Sequence, residues 1–89
     1  MPEIWYVYIL RCGDGSLYTG IAKDVNRRCE QHNAGTAARY TRGRLPVRVE
    51  YQEKQQTRSL ALKRELAIKG MSRREKELLI ATGGEEANR

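Results

Sequence analysis

Seven consecutive apolar or aromatic residues, Ile4 to Leu10 (IWYVYIL), limit what this chain can fold into more than any other stretch. An unbroken run rich in β-branched and aromatic side chains reads as a strand with both faces at least partly covered. Period two puts Ile4, Tyr6, Tyr8 and Leu10 on one face and Trp5, Val7 and Ile9 on the other. Gly13, Asp14 and Gly15 break the run, and Leu17 to Ala22 is the return strand. A two-residue Asp14-Gly15 turn would pair Leu10 with Thr19 and set Tyr18 on the face opposite Tyr8. A three-residue turn, Gly13 to Gly15, pairs Leu10 with Tyr18 and Tyr8 with Gly20, so that both tyrosines share a face. The second register is preferred, because glycines flanking Asp14 tolerate a left-handed residue. A one-residue slip would reverse the conclusion.

Asp24 is placed to cap a helix from Val25 to His32, in which Val25, Arg28, Cys29 and His32 form one stripe at i, i+3, i+4 and i+7. Arg27 lies about 100° around that helix and reads as exposed. Arg28 at the rim of a core and His32 at a helix C-terminus also suit purely structural roles. Thr36 to Gly43 is a short polar segment with one or two helical turns. Arg39, Tyr40, Arg42 and Arg44 interleave basic groups with an aromatic ring there, which suits either a nucleic-acid strand or a basic surface loop. Strand three is Val47 to Glu53, with Val47, Val49 and Tyr51 inward and a solvated opposite face. Thr57 caps a helix over Arg58 to Lys69, whose leucines occupy more than one sector, so it is expected to be enclosed on more than one side. Glu65 sits at the margin of an apolar sector, where a carboxylate pairs with a cation such as Arg64 or Lys69, binds a metal or reaches water. Ser72 and Glu75 form a capping box for a last helix to about Ala81, anchored by Leu78 and Leu79. The expected fold class is therefore α/β of the α+β type, a small, mostly antiparallel three-stranded sheet with helices.

The 89 residues are expected to form one domain, residues 1–89, with a core over about 4–81 and a frayed tail at 82–89. The net charge is +6 with a pI of about 9.7. Such an excess suits a soluble basic surface or a polyanionic partner, most often nucleic acid. No apolar run approaches the roughly 20 residues of a membrane span. Pro2 and Glu3 lead directly into the first strand without a signal pattern. Cys12 and Cys29 lack metal-ligand spacing and are expected to stay reduced in a cytoplasmic protein, Cys29 as a small core residue.

Tyr8, Tyr18, Arg28, His32 and Glu65 have the chemistry for phosphodiester hydrolysis if they meet. Such a reaction needs an activated water, charge on the phosphate oxygens and help for the leaving oxygen. Glu65 could hold one Mg²⁺, Arg28 could pin phosphate oxygens, and a phenol beside them could act as a base.

The order Val7-Tyr8-Ile9, Tyr18-Thr19-Gly20, Arg28 in a helix and Glu65 in a later helix resembles the GIY-YIG nuclease superfamily. The runs YTGIAKDVNRRCEQHNAG, ARYTRGRLPV and ELAIKGMSRREKELLI are most similar to its small single-domain bacterial members. The chain is also similar to the N-terminal incision domain of the bacterial excision-repair endonuclease. The resemblance covers about Ile4 to Ala81. It implies a three-stranded antiparallel sheet flanked by helices and a Mg²⁺- or Mn²⁺-dependent endonuclease using a single ion. DNA is the implied substrate, at low sequence specificity, in repair or recombination. By the same resemblance Tyr8 or Tyr18 is the general base, with Tyr8 preferred. Arg28 stabilises the phosphate, His32 is an auxiliary polar contact and Glu65 is the metal carboxylate. Arg27, Arg39, Tyr40, Arg42 and Arg44 are the candidate nucleic-acid contacts. Thr19 stands where isoleucine is usual and is expected to face away from the site. The late asparagine of several active relatives has no counterpart before Asn88. The expected partners are DNA or RNA and a targeting protein, with no membrane, for a monomer or weak homodimer. The competing expectation is a nucleic-acid-binding or adaptor module with a degenerate site.

Overall fold

The apolar run becomes the middle strand of a sheet, where both faces and both edges are covered. The computed structural model describes residues 3–83. In it β1 (Trp5–Arg11) pairs antiparallel with β2 (Leu17–Ala22) on one side and β3 (Arg48–Gln55) on the other. Helices α1 (Val25–Asn33) and α2 (Arg39–Arg42) separate β2 from β3, and α3 (Arg58–Lys69) and α4 (Arg73–Thr82) follow. Residues Val7 to Leu10 are at most 1 % exposed. Tyr8, Leu10, Cys12, Ala22, Val25 and Val47 form the core under α1, while Val7, Ile9, Tyr51, Ala61 and Ile68 form the core under α3 and α4. Among the described residues no helix is long and apolar enough to cross a membrane. The last six residues of the expected tail, Asn88 among them, lie outside the described residues, and the helix reaches Thr82.

The three-residue turn sets the hairpin register. Cys12 N–H donates to Ser16 O at 2.8 Å and Gly15 N–H to Cys12 O at 2.9 Å. Gly15 takes the left-handed conformation with φ +85°, which a side chain would resist. Leu10 then faces Tyr18 and Tyr8 faces Gly20. Thr19 pairs with Ile9 and lies, buried, on the α3 side with Leu17 and Ile21, away from the tyrosines.

The expected alternation along β3 fails at one residue. Ile9 pairs with Tyr51 but Leu10 with Val49, so Glu50 is an extra residue in a bulge. Val47 and Val49 pack under α1, whereas Tyr51 turns into the core under α3. An inserted residue shifts the period by one and re-aims every side chain beyond it. The bulged Glu50 accepts from Arg11 Nε at 3.1 Å, and the same guanidinium forks onto both oxygens of Glu77 at 2.7 Å, which fastens α4 to the sheet.

Caps set the helix ends as the sequence implies. The Asp24, Thr57 and Ser72 side chains each accept a first-turn N–H, and Ser72 and Glu75 complete a capping box. At the other end of α1 the Asn33 amide pairs with both backbone groups of Val47, Oδ1 accepting at 2.7 Å and Nδ2 donating at 2.9 Å. That pairing holds the last turn of α1, and with it His32, against the start of β3.

Two expectations about the later helices are corrected. Helix α3 is not enclosed on several sides: only Ala61 and Ile68 are buried, and Leu66 is 70 % exposed. Its other leucines had made the burying sector ambiguous. Helix α4 is anchored by Leu79 and Ile80, while Leu78 is 63 % exposed. Arg64, a candidate partner of Glu65, instead donates Nε to both oxygens of Glu53 at 3.0 and 2.9 Å. Tyr51 donates to the same carboxylate at 2.5 Å. Ile68→Ala is expected to cost about 2–5 kcal/mol, and Leu66→Ala no more than about 0.5 kcal/mol, read from urea unfolding of both variants.

Candidate functional site

A tyrosine at the centre of a buried strand must find a partner for its hydroxyl, because an unpaired buried hydroxyl costs about 1–3 kcal/mol. Tyr8 is 1 % exposed. Its ring crosses over Gly20 on β2, where a Cβ would lie 2.6 Å from the phenol oxygen and 2.7 Å from Cζ. Glycine at position 20 therefore clears the path along which the phenol reaches α1. There the Tyr8 hydroxyl meets His32 Nε2 at 2.9 Å.

His32 is fully buried, and its Nδ1 lies 2.8 Å from the Thr41 hydroxyl of α2. Thr41, also fully buried, donates to Ala38 O at 3.1 Å. A hydroxyl has one proton to give. With that proton on Ala38 O, Thr41 accepts from Nδ1–H, and Nε2 of the neutral ring accepts from Tyr8. That arrangement runs Tyr8 O–H to His32 Nε2, His32 Nδ1–H to Thr41 Oγ1 and Thr41 O–H to the main chain; with the Thr41 proton on Nδ1 instead, the ring would carry its own proton on Nε2.

Electrostatics keep this chain neutral at rest. Burial, seconded by the neighbouring Tyr18 hydroxyl, pushes the Tyr8 phenol up to about 12, with Arg28 pulling down and Glu65 pushing up. Burial, reinforced by the Arg28 charge, holds His32 below its ordinary value. Arg28 of α1 and Glu65 of α3 both act on the Tyr8 phenol. The structure thus brings Tyr8, Tyr18 and His32 together, with Arg28 and Glu65 close enough to act on the Tyr8 phenol.

The members differ in how they are held. Arg28 Nη1 donates to Gln31 Oε1 at 3.0 Å. Glu65 is half-buried, with Oε2 3.2 Å from Lys69 Nζ one turn along α3. The Tyr18 ring stands edge-on to His32 at 5.1 Å and stacks with Tyr40 at 5.9 Å. Its hydroxyl has no protein hydrogen-bond partner among the described residues. Among the described residues no three His, Cys, Asp or Glu side chains cluster to hold a metal ion. The donor set at Glu65 fits only an ion that takes one carboxylate and fills its other positions with water and phosphate oxygens, a habit of Mg²⁺.

Around the cluster the surface is basic and aromatic. Arg27, Arg39 and Arg42 are exposed and have no carboxylate partner among the described residues. Arg44 is committed otherwise: Nε pairs with Asp14 at 3.1 Å, and the guanidinium covers the Tyr40 ring at 4.0 Å. A cleft of about 370 Å³ runs from Trp5 past Lys23 and Arg27 to Arg28 and Gln31. Trp5 has the Lys23 ammonium 5.5 Å and the Arg58 guanidinium 5.6 Å from its ring centre. Sequence reasoning missed Thr41 and Trp5 as part of this region. Thr41 had no signal beyond sitting amid basic residues, and Trp5 read as strand core.

Gly20→Ala is expected to drive the Tyr8 phenol off His32 and to cost about 1–3 kcal/mol in urea unfolding. The titrating groups also set a pH window. An unfolded tyrosine ionises near 10, whereas Tyr8 and Tyr51 hold their protons to about 12, so stability is lost as pH rises from about 10 through about 12. His32 is lowered, so the unfolded chain takes up its proton first and stability falls as pH drops below about 6.5. Urea midpoints between pH 4 and pH 12 check both limbs.

A family model described as the GIY-YIG catalytic domain matches residues 4–78. A UPF0213 protein of Staphylococcus aureus is 57 % identical over 75 residues, covering 84 % of this chain and 92 % of that protein. The solution NMR structure of a UPF0213 protein from Bacillus halodurans is 44 % identical, covers 92 % of this chain and 87 % of that one, and superposes with a TM-score of 0.59. The solution NMR structure of an E. faecalis protein is 42 % identical, with coverage of 92 % and 90 % and a TM-score of 0.60. With the antiparallel sheet, the Tyr8–Gly20 crossing and a match over most of its length, this chain belongs to the GIY-YIG domain superfamily and is related to its small bacterial UPF0213 proteins.

Proposed function

We propose that the chain binds nucleic acid across the surface beside α1 and α2 and hydrolyses phosphodiester bonds in DNA there as a metal-dependent endonuclease of low sequence specificity. The observation that carries this reading is the buried hydrogen-bond chain from Tyr8 through His32, set beside Arg28 and Glu65. A neutral imidazole with a bare Nε2 is a proton acceptor. As Tyr8 takes a proton from the attacking water, its own proton passes to Nε2; the water oxygen bonds to phosphorus and the bond to the leaving oxygen breaks. Tyr18 has no such acceptor among the described residues, so Tyr8 is the better base. Arg28 neutralises non-bridging phosphate oxygens. A single Mg²⁺ or Mn²⁺ at Glu65 would supply positive charge for the leaving oxygen. Arg27, Arg39 and Arg42 carry phosphate contacts, while Tyr40 offers a stacking face once Arg44 moves aside. A repair or recombination setting, RNA as a second substrate and a targeting partner rest on the family alone.

Two observations favour a second reading, a nucleic-acid-binding or adaptor module without cleavage. Glu65 is ion-paired with Lys69, and Tyr8 is almost fully buried. Labelled duplex, branched and single-stranded DNA, and RNA, are to be incubated with Mg²⁺, Mn²⁺ or EDTA. Cleavage is expected with metal and lost in EDTA. Glu65→Ala should abolish it and Arg28→Ala lower it by about 10²–10³-fold, with far-UV circular dichroism unchanged. Trp5 is the only tryptophan, so its fluorescence reports binding beside the site in the same samples. Salt-sensitive quenching with no cleavage of any substrate would establish the binding module instead.

A further inference from the structure

Helix α2 is one turn long, and its residues divide sharply. Arg39, Tyr40 and Arg42 face outward, and Thr41 alone is buried. No side chain caps the turn: its N-cap is Ala38, the residue whose carbonyl takes the Thr41 proton. Thr41 therefore does more than fill space. It offers His32 Nδ1 a lone pair at 2.8 Å, in a place where the ring is out of reach of water.

We infer that Thr41 is a positioning residue that fixes the tautomer of His32, and through it makes Tyr8 competent as a base. The inference concerns the same site and, for the catalytic half, rests on the hydrolytic reading above. Which ring nitrogen of a neutral histidine carries the proton is set by the partner of the other. With Thr41 accepting at Nδ1, Nε2 is bare and faces the Tyr8 hydroxyl. Without that acceptor the Nε2–H form competes. That form donates to the phenol oxygen, leaves Tyr8 no place to send its proton and breaks the transfer.

The consequence is that α2 belongs to the reacting machinery. The turn that presents Arg39, Tyr40 and Arg42 to a polyanion also holds, on its inner side, the group that sets the proton order at Tyr8. Thr41 touches neither phosphate nor water in this scheme and acts only through His32.

His32 is the only histidine of the chain, so long-range ¹H–¹⁵N correlation of its ring reads the tautomer without ambiguity. The full chain at neutral pH is expected to show a protonated Nδ1 and a bare Nε2. Thr41→Ser should keep that pattern. Thr41→Val, of similar shape but without the hydroxyl, should shift it toward Nε2–H, lower kcat by about 10- to 100-fold and leave KM unchanged, with Thr41→Ser restoring the rate. A wild-type ring with its proton on Nε2 overturns the proposal, as does a Thr41→Val ring with an unchanged tautomer. Because the spectrum needs no turnover, a chain that proves unable to cleave refutes the hydrolytic reading separately and leaves the tautomer assignment to be decided. Should Thr41→Val fail to fold, the wild-type and Thr41→Ser spectra still decide it.

Discussion

One requirement organises the site: a phenol buried in the middle of the central strand must be hydrogen-bonded. Buried polar groups without partners are rare because each forfeits its hydration. The Tyr8 hydroxyl is met by His32, the other nitrogen of His32 by Thr41, and the Thr41 proton by a main-chain carbonyl. The chain ends only when it reaches the backbone. Each link fixes the position of a different element, so β1, α1 and α2 are held in register by a single polar thread. Gly20 permits the thread to exist, since any side chain there would occupy the space of the phenol.

The charges are divided in a way that explains the basic surface. On the α3 and α4 side, acidic groups are consumed by structure: Glu50 and Glu77 hold Arg11, and Glu53 holds Arg64. Asp24 and Glu75 serve as helix caps, and Asp14 restrains Arg44. The side chains of Arg27, Arg39 and Arg42 have no ion-pair partner among the described residues, on the surface beside Tyr18 and His32. Those three add their charge to the surface beside the cluster, where a polyanion would lie. Glu65 is partly buried, ion-paired with Lys69 one turn along α3, and acts on the Tyr8 phenol.

Much of this was legible in the chain. The glycines flanking Asp14 favoured the observed hairpin register over its one-residue alternative, and the helix starts followed from Asp24, Thr57 and Ser72, because turns and caps are local chemistry. The Val25, Arg28, Cys29 and His32 stripe predicted that Arg28 and His32 would share a face. The bulge at Glu50 was hidden, because the residues around it alternate as an unbulged strand would. The buried face of α3 was hidden as well, since its leucines occupy sectors that packing leaves open to solvent.

By itself the sequence determined the local order of elements and the excess of cations, and it favoured the register that puts Tyr8 and Tyr18 on one face, which the paired strands then settled. These depend on periodicity, turn chemistry and composition, which act over a few residues. Only the tertiary structure decided that Thr41 would close on His32, that Glu65 would be brought to act on Tyr8, and that Arg64 and Arg44 would be tied up elsewhere. Those outcomes join residues far apart in the chain. They depend on which buried polar groups must find partners once the sheet has closed, and no local pattern records that.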